Sequence, residues 1–297
     1  MSTRRLRATV IHNEKAGDRR HGRAGLVELM ERAGYRVDYF SADECDLAEA
    51  VGRPADLIVV AGGDGTVAKI VAVADPEGMP IAILPLGTAN NIATSLGIGG
   101  APEEIVASWA ARETRAFYAI AADGPWGRRR LAEGIGFGAL EQAISELPHK
   151  PGLKWARQAI REAVLDAAPE SLEIGIDGEA IAGRFAVVEI AAIPLIGPRL
   201  PLTPAADPSG RCLDLCFIGD NAEERQRLAQ WLDNPEGAGP APVSARRAPQ
   251  LTIAGQFRCV RLDSKLWSGE SNPPIGNPSP VIRVATEPRP LQFLVPG

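Results

Sequence analysis

The sequence predicts a protein of two domains, an α/β domain with a doubly wound, Rossmann-like parallel sheet followed by a mostly antiparallel β-sandwich domain. In residues 1–112, apolar strand candidates alternate with helical patterns, which is typical of a parallel sheet. In residues 113–288, strand candidates follow one another with one helical pattern among them, which favours an antiparallel sheet. At 297 residues and 45% hydrophobic composition, the chain is long enough to bury two cores.

Four apolar runs in the first domain predict the strands of its parallel sheet. They lie at residues 8–11, 37–40, 57–61 and 81–84. The clearest helical pattern, at residues 26–32, lies between the first two runs. Because parallel strands point the same way, the turns that follow neighbouring strands are expected to face one crevice and one ligand.

The third strand ends in the glycine-rich turn Gly62-Gly63-Asp64-Gly65-Thr66. Glycine lets the backbone approach a ligand closely, and the amides of such a turn and of the next helix point at an anion, so we predict a phosphate-binding turn. A carboxylate beside phosphates repels them unless a cation such as Mg²⁺ lies between, so we interpret Asp64 as lying near a metal ion or behind the phosphate ligands. The alternative is an Asx cap on a helix that begins at Thr66.

A second turn of similar composition follows the fourth strand, as Pro85-Leu86-Gly87-Thr88-Ala89-Asn90-Asn91. The two turns together resemble the diacylglycerol kinase catalytic-domain family, which includes sphingosine kinases and bacterial lipid kinases and has G-G-D-G-T followed by P-x-G-T-x-N. The family's N-P-x-x-G turn appears here as Asn13-Glu14-Lys15-Ala16-Gly17, with Glu14 in place of the proline. NAD kinases share the G-G-D-G-T turn, but residues 85–91 are more similar to the lipid-kinase form.

The resemblance implies an ATP-dependent kinase that uses Mg²⁺ to phosphorylate a hydroxyl of diacylglycerol or a related lipid alcohol, in a cleft between the two domains. Lys15 is expected to offset phosphate charge, and Ser41 matches a position where many relatives carry a nucleotide-contacting Thr. Asp64 is also expected to be essential for catalysis, and the ligands of the metal stay unassigned. The residues expected at the nucleotide lie at or near strand ends: Asn13, Lys15, Gly17, Ser41, Gly62, Gly63, Asp64, Gly65, Thr66 and Thr88.

The resemblance also implies a D-G-E motif in the second domain, whose carboxylates deprotonate or orient the lipid hydroxyl. By order in the chain this motif falls at Asp263-Ser264-Lys265, so Asp263 is the predicted base and Lys265 replaces the glutamate. Two other carboxylates compete for the role. Glu270 follows a Ser-Gly pair, and Asp177-Gly178-Glu179 repeats the motif's letters but is typical of a hairpin turn.

The second domain contains seven strand candidates and a helix with an apolar stripe at residues 153–166. A proline- and glycine-rich loop is expected at residues 234–242, and the segment 133–138 resembles a part of the relatives that lines their active-site cleft. Residues 289–297 resemble the family's closing strand, which returns toward the first domain. The strand candidates are residues 117–121, 130–134, 172–176, 185–191, 213–218, 251–253 and 257–262.

Composition bounds the partners and the compartment. The net charge of −5 argues against nucleic acid as a partner. The four cysteines lack zinc-ligand spacing and are expected to be reduced, packed thiols. No apolar signal segment or run of about 18 apolar residues is present, so we expect a cytoplasmic protein. Contact with a membrane would then be transient, and a homodimer is left open.

Three alternative functions remain open at this stage. A kinase for a soluble alcohol and an NAD kinase both use the same nucleotide turns. A nucleotide- or lipid-binding protein with degraded catalysis is suggested by three departures from the family pattern. These are Lys265 in the D-G-E motif, Ser209 in a D-G-x-L pattern that the family associates with a structural Mg²⁺, and Ala68 in place of an asparagine.

Overall fold

A computed structural model describes residues 5–17, 22–146, 152–268 and 281–296. It divides the chain into two compact units, Met1–Tyr118 together with Pro288–Gly297, and Ala119–Glu287. Among the described residues, no helix combines the length and the apolar character that crossing a membrane requires.

The first unit alternates strands and helices, as the sequence predicts. The helical pattern at residues 26–32 belongs to its first helix, and each predicted strand is present. The elements in chain order are β1 (Leu6–His12), α1 (Arg23–Arg32), β2 (Tyr35–Ser41), α2 (Leu47–Gly52), β3 (Leu57–Gly62), α3 (Asp64–Val73), β4 (Ile81–Pro85), α4 (Asn91–Ser95), α5 (Pro102–Ser108), the 3₁₀ turn Trp109–Ala111 and β5 (Thr114–Phe117).

The second unit consists mainly of strands, with three helices among its described residues. Its elements are β6 (Ile120–Gly124), β7 (Gly127–Leu131), β8 (Gly134–Gly138), α6 (Ala139–Glu146), α7 (Leu153–Asp166), β9 (Glu170–Ile176), β10 (Glu179–Ala191), β11 (Leu213–Gly219), α8 (Ala222–Trp231), β12 (Ser244–Ala248), β13 (Gln250–Gln256), β14 (Val260–Leu262), β15 (Lys265–Trp267) and β16 (Val281–Thr286). A last strand, β17 (Leu291–Leu294), belongs to the first unit.

The sheet of the first unit has the order β2-β1-β3-β4-β17-β5. β1 pairs in parallel with β2 and β3, and β3 pairs in parallel with β4, so the carboxyl ends of these four strands lie along one edge. β17 adds to the far side, parallel to β4 and antiparallel to β5. The two inner strands β3 and β4 are almost entirely buried aliphatic residues, because helices cover both faces of a parallel sheet.

The second unit is a curled antiparallel sheet of 11 strands, in which each pair is antiparallel. Alternate residues of the strands supply two cores. Ile135 and Phe137 of β8 lie in the core enclosed by the sheet. Val187 and Ala191 of β10 lie on the opposite face, where they pack with apolar residues of α6, α7 and α8.

Three strand predictions are wrong in their limits. Residues 257–262 form a strand only from Val260 to Leu262, and two other predicted strands are each divided by non-strand residues. Residues 130–134 are divided between β7 and β8, and residues 117–121 between β5 of the first unit and β6 of the second. The helices α6 and α8 are not predicted, although α8 has a recognisable start. The Asn221 side chain accepts hydrogen bonds from the amides of Glu223 and Glu224, as an N-cap does. The helix at residues 153–166 and the turn-rich loop at 234–242 are as predicted.

Candidate functional site

The turn after β1 is tied to the turn after β3 through Asn13. Its amide donates to the Ala61 carbonyl over 2.9 Å, and its side-chain Nδ2 donates to Thr66 Oγ1 over 3.3 Å. Its Oδ1 accepts from the Lys15 amide at 3.0 Å, which closes the turn. Asn13 and Thr66, both predicted nucleotide residues, are thus brought together as structural neighbours.

The turns after β3 and β4 approach each other through glycines. A Cβ atom added at Gly87 would lie 2.5 Å from the Cα of Gly63, a distance that no side chain tolerates. The Leu86 amide also donates to the Gly62 carbonyl over 2.9 Å. Gly17, in the turn after β1, also contacts the turn after β4. Its φ is +51°, and a Cβ at this position would lie 2.2 Å from the Leu86 carbonyl oxygen, so both the backbone conformation and the space require glycine.

Asn90 holds the turn after β4 in shape. The residue is left-handed, with a φ of 53°, and its Oδ1 accepts from the Gly87 amide at 2.9 Å. Its Nδ2 donates to the carbonyl oxygens of Pro85 and Gly87 over 3.2 and 2.9 Å. Thr88 lies exposed at the tip of this turn, where a ligand at the edge of the sheet can reach it.

Asp64 is the first residue of α3, but its carboxylate caps the neighbouring helix α4. Oδ1 accepts from the Ile92 amide at 3.0 Å, and the amides of Asn90 and Asn91 also donate to the carboxylate. Burial raises the pKa of Asp64, and these amides partly oppose that shift. The alternative interpretation expects a cap on a helix that begins at Thr66; the helix begins at Asp64 instead, with Gly63 as its N-cap, and the Asp64 carboxylate also accepts from its own backbone amide.

Two further predicted residues lie at the same edge of the sheet. Ser41 is the last residue of β2 and pairs with His12, the last residue of β1. Lys15 is 70% exposed in its side chain and donates from Nζ to Asp43 Oδ2 over 2.8 Å. This hydrogen bond lowers the pKa of Asp43. The Lys15 ammonium is thus paired with Asp43 in this structure.

A pocket of about 390 Å³ opens beside the glycine contact. One side of the pocket consists of the turns after β1 and β4, which the sequence predicts. The other side consists of residues at the start of α5, which the sequence does not predict. Glycine and proline at residues 100 and 102 carried no recognisable ligand pattern. The lining residues are Gly17, Pro85, Leu86, Gly87, Thr88, Gly100, Pro102 and Ile105.

In the second unit, the predicted base Asp263 lies in a cradle of backbone amides. Its Oδ1 accepts from the amides of Ala132, Glu133 and Gly134 at 3.1, 2.8 and 3.2 Å, and its Oδ2 accepts from Ala132 at 3.0 Å. The carboxylate is buried, with the residue 7% exposed, in the two-residue turn between β14 and β15. Burial raises the pKa of Asp263, and the three amides oppose the shift.

The competing carboxylates differ from Asp263 in their surroundings. Asp177 is exposed in the two-residue hairpin between β9 and β10, with φ values of 50° and 83° at Asp177 and Gly178, as the hairpin interpretation requires. Glu270 lies outside the described residues.

The described residues give no support to a metal cage. Within those ranges, no group of three His, Cys, Asp or Glu side chains is arranged to hold a metal ion. Near Ser209, the Asp207 side chain accepts from the Ser209 amide at 2.9 Å and closes a turn. Asp214, which follows in β11, lies 3.4 Å from Arg247 Nε.

The residues that sequence reasoning missed in the second unit are three buried charged groups beside Asp263. Arg261 Nη1 donates to the Asp263 carbonyl over 2.8 Å and is also paired with Glu141 and Glu189. Glu189 and Arg261 lie in predicted apolar strands, and Glu141 lies in the unpredicted helix α6. The only sequence signal of the first two is a charged residue at a position where the pattern expects an apolar one.

Comparisons with known proteins agree on one family. The model of the diacylglycerol kinase catalytic domain matches residues 7–122. A relative in Stenotrophomonas maltophilia, named "Probable lipid kinase YegS-like", is 40% identical in an alignment of 257 residues that covers 78% of this chain and 83% of that protein.

Solved structures show the same fold at low identity. A diacylglycerol kinase from Bacillus anthracis has a TM-score of 0.66 at 15% identity, with 97% of this chain and 96% of that chain covered. An NAD kinase from Archaeoglobus fulgidus, solved in complex with ATP, has a TM-score of 0.54 at 16% identity, with 98% and 94% covered.

We predict that Gly87→Ala weakens ATP binding at least tenfold, or by about 1.4 kcal/mol, since the new methyl group must push the turn away from Gly63. Isothermal titration calorimetry measures the affinity. Gly99→Ala is the matched control, because a Cβ at Gly99 has nothing within 4 Å. Equal affinities for the two variants would contradict a role for the Gly63–Gly87 contact.

We predict that Asp64→Asn lowers turnover on the order of 10²–10³-fold while the fold survives, because the amide removes the negative charge and turns an N–H group toward the α4 amides. Steady-state kinetics and a circular dichroism melt give the two readouts. Asp75→Asn is the control, since exposed Asp75 makes a similar bond, accepting from the Glu77 amide at 3.0 Å. Turnover near the wild-type value would show that Asp64 only caps a helix.

Proposed function

We propose that this chain, which belongs to the diacylglycerol kinase catalytic-domain family, transfers the γ-phosphoryl group of ATP to the hydroxyl of diacylglycerol or of a related lipid alcohol. Membership of the family makes the protein a lipid kinase. The observation that carries the more specific proposal is the glycine contact at the carboxyl edge of the first sheet, where Gly17, Gly63 and Gly87 bring three turns together.

The three turns are suited to the phosphates of ATP. Phosphoryl transfer depends mainly on positioning and on neutralising charge, and backbone amides do both without side chains. α3, a helix of 10 residues, begins inside the turn at residues 62–66, so the positive end of its dipole lies at that turn. We assign the phosphates to the residues predicted from the sequence, with Asn13 and Thr66 as supports of the turns.

Lys15 and Ser41 are proposed to contact the nucleotide from the sides. Lys15 must leave Asp43 to do so, and this ion pair is easily broken because both side chains are exposed and water screens their attraction. Thr88, exposed at the mouth of the pocket, completes the set.

Mg²⁺ is proposed to enter bound to the ATP phosphates. This fits the described residues, which offer no three-ligand cage, since Mg²⁺ usually takes one or two carboxylates and completes its shell with phosphates and water. When bound, the ion neutralises the charge that develops on the transferred group. Asp64 lies in the turn after β3, and it would act through the α4 amides that its carboxylate fixes.

Asp263 is proposed as the base that accepts the proton of the lipid hydroxyl while the new oxygen–phosphorus bond forms and ADP leaves. A carboxylate works better as a base when its pKa lies closer to neutral pH, and burial raises the pKa of Asp263 in that direction. The amide cradle fixes the carboxylate in one orientation, so that it can accept the proton of the lipid hydroxyl from one direction.

An NAD kinase and a catalytically degraded binding protein are the two alternative functions that an experiment must distinguish from a lipid kinase. An NAD kinase would share the turns and the fold, and a degraded binding protein would retain ATP binding without turnover. Lys265 in place of a glutamate is the observation that favours the degraded protein. Lys265 begins β15 beside the Asp263 turn and is exposed.

The function is tested by incubating the protein with MgATP and liposomes that contain diacylglycerol, and then with a total lipid extract. We expect mass spectrometry to detect a phosphorylated lipid that requires both ATP and Mg²⁺, and co-sedimentation to detect transient membrane contact. NAD in the same assay should stay unmodified. Phosphorylation of NAD alone would move the protein to the NAD kinases, and ATP binding with no product would identify a degraded enzyme.

We predict that Asp263→Asn abolishes lipid phosphorylation and leaves ATP affinity within a few fold, because the base is lost and the nucleotide turns are untouched. In the wild type, the raised pKa places the acid limb of the kcat profile above the ordinary aspartate value, since the base must lose its proton first. Asp177→Asn, in an exposed hairpin of similar size, is the control. Loss of activity in Asp177→Asn with a silent Asp263→Asn would contradict the assignment.

A further inference from the structure

Arg261, Glu141 and Glu189 form a buried charged cluster beside the Asp263 turn. Arg261 lies in β14, Glu141 in the first turn of α6 and Glu189 in β10, and their side chains are at most 3% exposed. Arg261 Nε lies 3.3 Å from Glu141 Oε1, and Arg261 Nη2 donates to Glu189 Oε2. The third nitrogen, Nη1, donates to the Asp263 carbonyl over 2.8 Å.

A glycine makes the cluster possible. Gly136 of β8 pairs with Glu189 on one side and with Arg261 on the other, so the three residues form a row across the sheet. A Cβ at Gly136 would lie 2.3 Å from Glu141 Oε1 and 2.7 Å from both Glu189 oxygens. Because Gly136 has no side chain, the guanidinium and the two carboxyl groups meet above it.

The cluster is electrically neutral only if one of its two carboxyl groups is protonated. Two carboxylates face one guanidinium, and Glu141 Oε2 and Glu189 Oε1 have no hydrogen-bond partner among the described residues while both are ionised. Burial and then the charge of Glu189 raise the pKa of Glu141 well above its usual value. Burial also raises the pKa of Glu189, and a carboxyl–carboxyl hydrogen bond joins it to Glu141, so the two groups share one proton.

We propose that the Glu141–Glu189–Arg261 cluster, neutral through one proton shared by the two carboxyl groups, is a positioning device for Asp263. Arg261 fixes the backbone of the turn through the Asp263 carbonyl, while the amides of residues 132–134 fix its carboxylate. Of the four groups that bond to Asp263, Arg261 lies in β14 and Gly134 in β8, and the other two are amides between β7 and β8. The inference rests on the proposed role of Asp263.

Other titratable groups face the cluster from the elements packed around it. Cys216 of β11 pairs with Glu189 and stays a neutral thiol, because burial raises its pKa well above the usual range. Burial also raises the pKa of Cys259, which precedes β14. The remaining groups are Glu133, Asp214 and Asp263 itself. None of them supplies a second positive charge, so the proton remains the only means of neutralising the second glutamate within this set.

The positioning role is tested with Arg261→Lys. Lysine keeps the positive charge and loses the planar fork, so the ion pair can persist while the bond to the Asp263 carbonyl is lost. We expect kcat for lipid phosphorylation to fall about 10²-fold, with the KM for ATP within a few fold, because a base displaced by about 1 Å costs that much. Amide hydrogen exchange at residues 132–134 should also accelerate.

Arg225→Lys is the matched control in the same unit. Arg225 is equally buried and donates from Nη1 to the carbonyls of Val164 and Ala167 over 2.9 and 2.8 Å, remote in sequence from the Asp263 turn. Its variant should lose stability without the loss of kcat or the faster exchange. Equal effects of the two variants on kcat and on exchange would overturn the inference. If Asp263→Asn proves active, the base assignment fails, and the exchange readout still decides whether Arg261 positions the turn.

The shared proton is tested by the pH dependence of the melting temperature. Because the folded-state pKa of Glu141 lies above its unfolded value, the stabilisation from its proton is complete at acid pH and is lost as pH rises through the folded-state pKa. From about pH 5 upward, the wild-type melting temperature should therefore fall relative to that of Glu141→Gln, whose amide cannot ionise. Parallel curves for the two proteins would overturn the protonated cluster.

Discussion

The close approach of the backbone at Gly63 and Gly87 is the constraint on which the candidate nucleotide site depends. A parallel sheet brings the ends of β3 and β4 to neighbouring positions, but only residues without a Cβ allow the following turns to touch. Gly17 extends the contact to the turn after β1. The result is a surface composed of peptide groups, which present their amide dipoles to an anion with no side chain in between.

Two buried carboxylates are held in the same way in the two units. Asp64 receives the amides of residues 90–92, and Asp263 receives the amides of residues 132–134. Three consecutive amides offset much of the free energy that burying a carboxylate costs, and they also fix its orientation. In the first unit the carboxylate shapes the turn that meets the glycines, and in the second it is itself the proposed reacting group.

The features that the sequence predicts correctly are local or periodic. Alternating apolar runs indicate the strands, and the glycines at residues 62–65 indicate a tight turn, because each of these structures is determined by the residues that form it. The partners of Asp64 and Asp263 escape prediction, since their amide donors lie 28 and about 130 residues away in the chain. The break between β7 and β8 has the same cause, because residues 132 and 133 leave the sheet to bind Asp263. The local pattern shows Arg261 only as a charged residue in an apolar strand and does not identify its partners, since Glu141 and Glu189 come from other elements.

The central claim is that backbone amides of three turns in the first unit bind the phosphates of ATP. Hydrogen–deuterium exchange of the protein with and without MgATP, resolved to single amides, tests it most directly. We expect slower exchange at residues 13–17, 62–66 and 86–91, with the strands of the second unit unchanged. Protection confined to other segments, or none at saturating MgATP, would contradict the account.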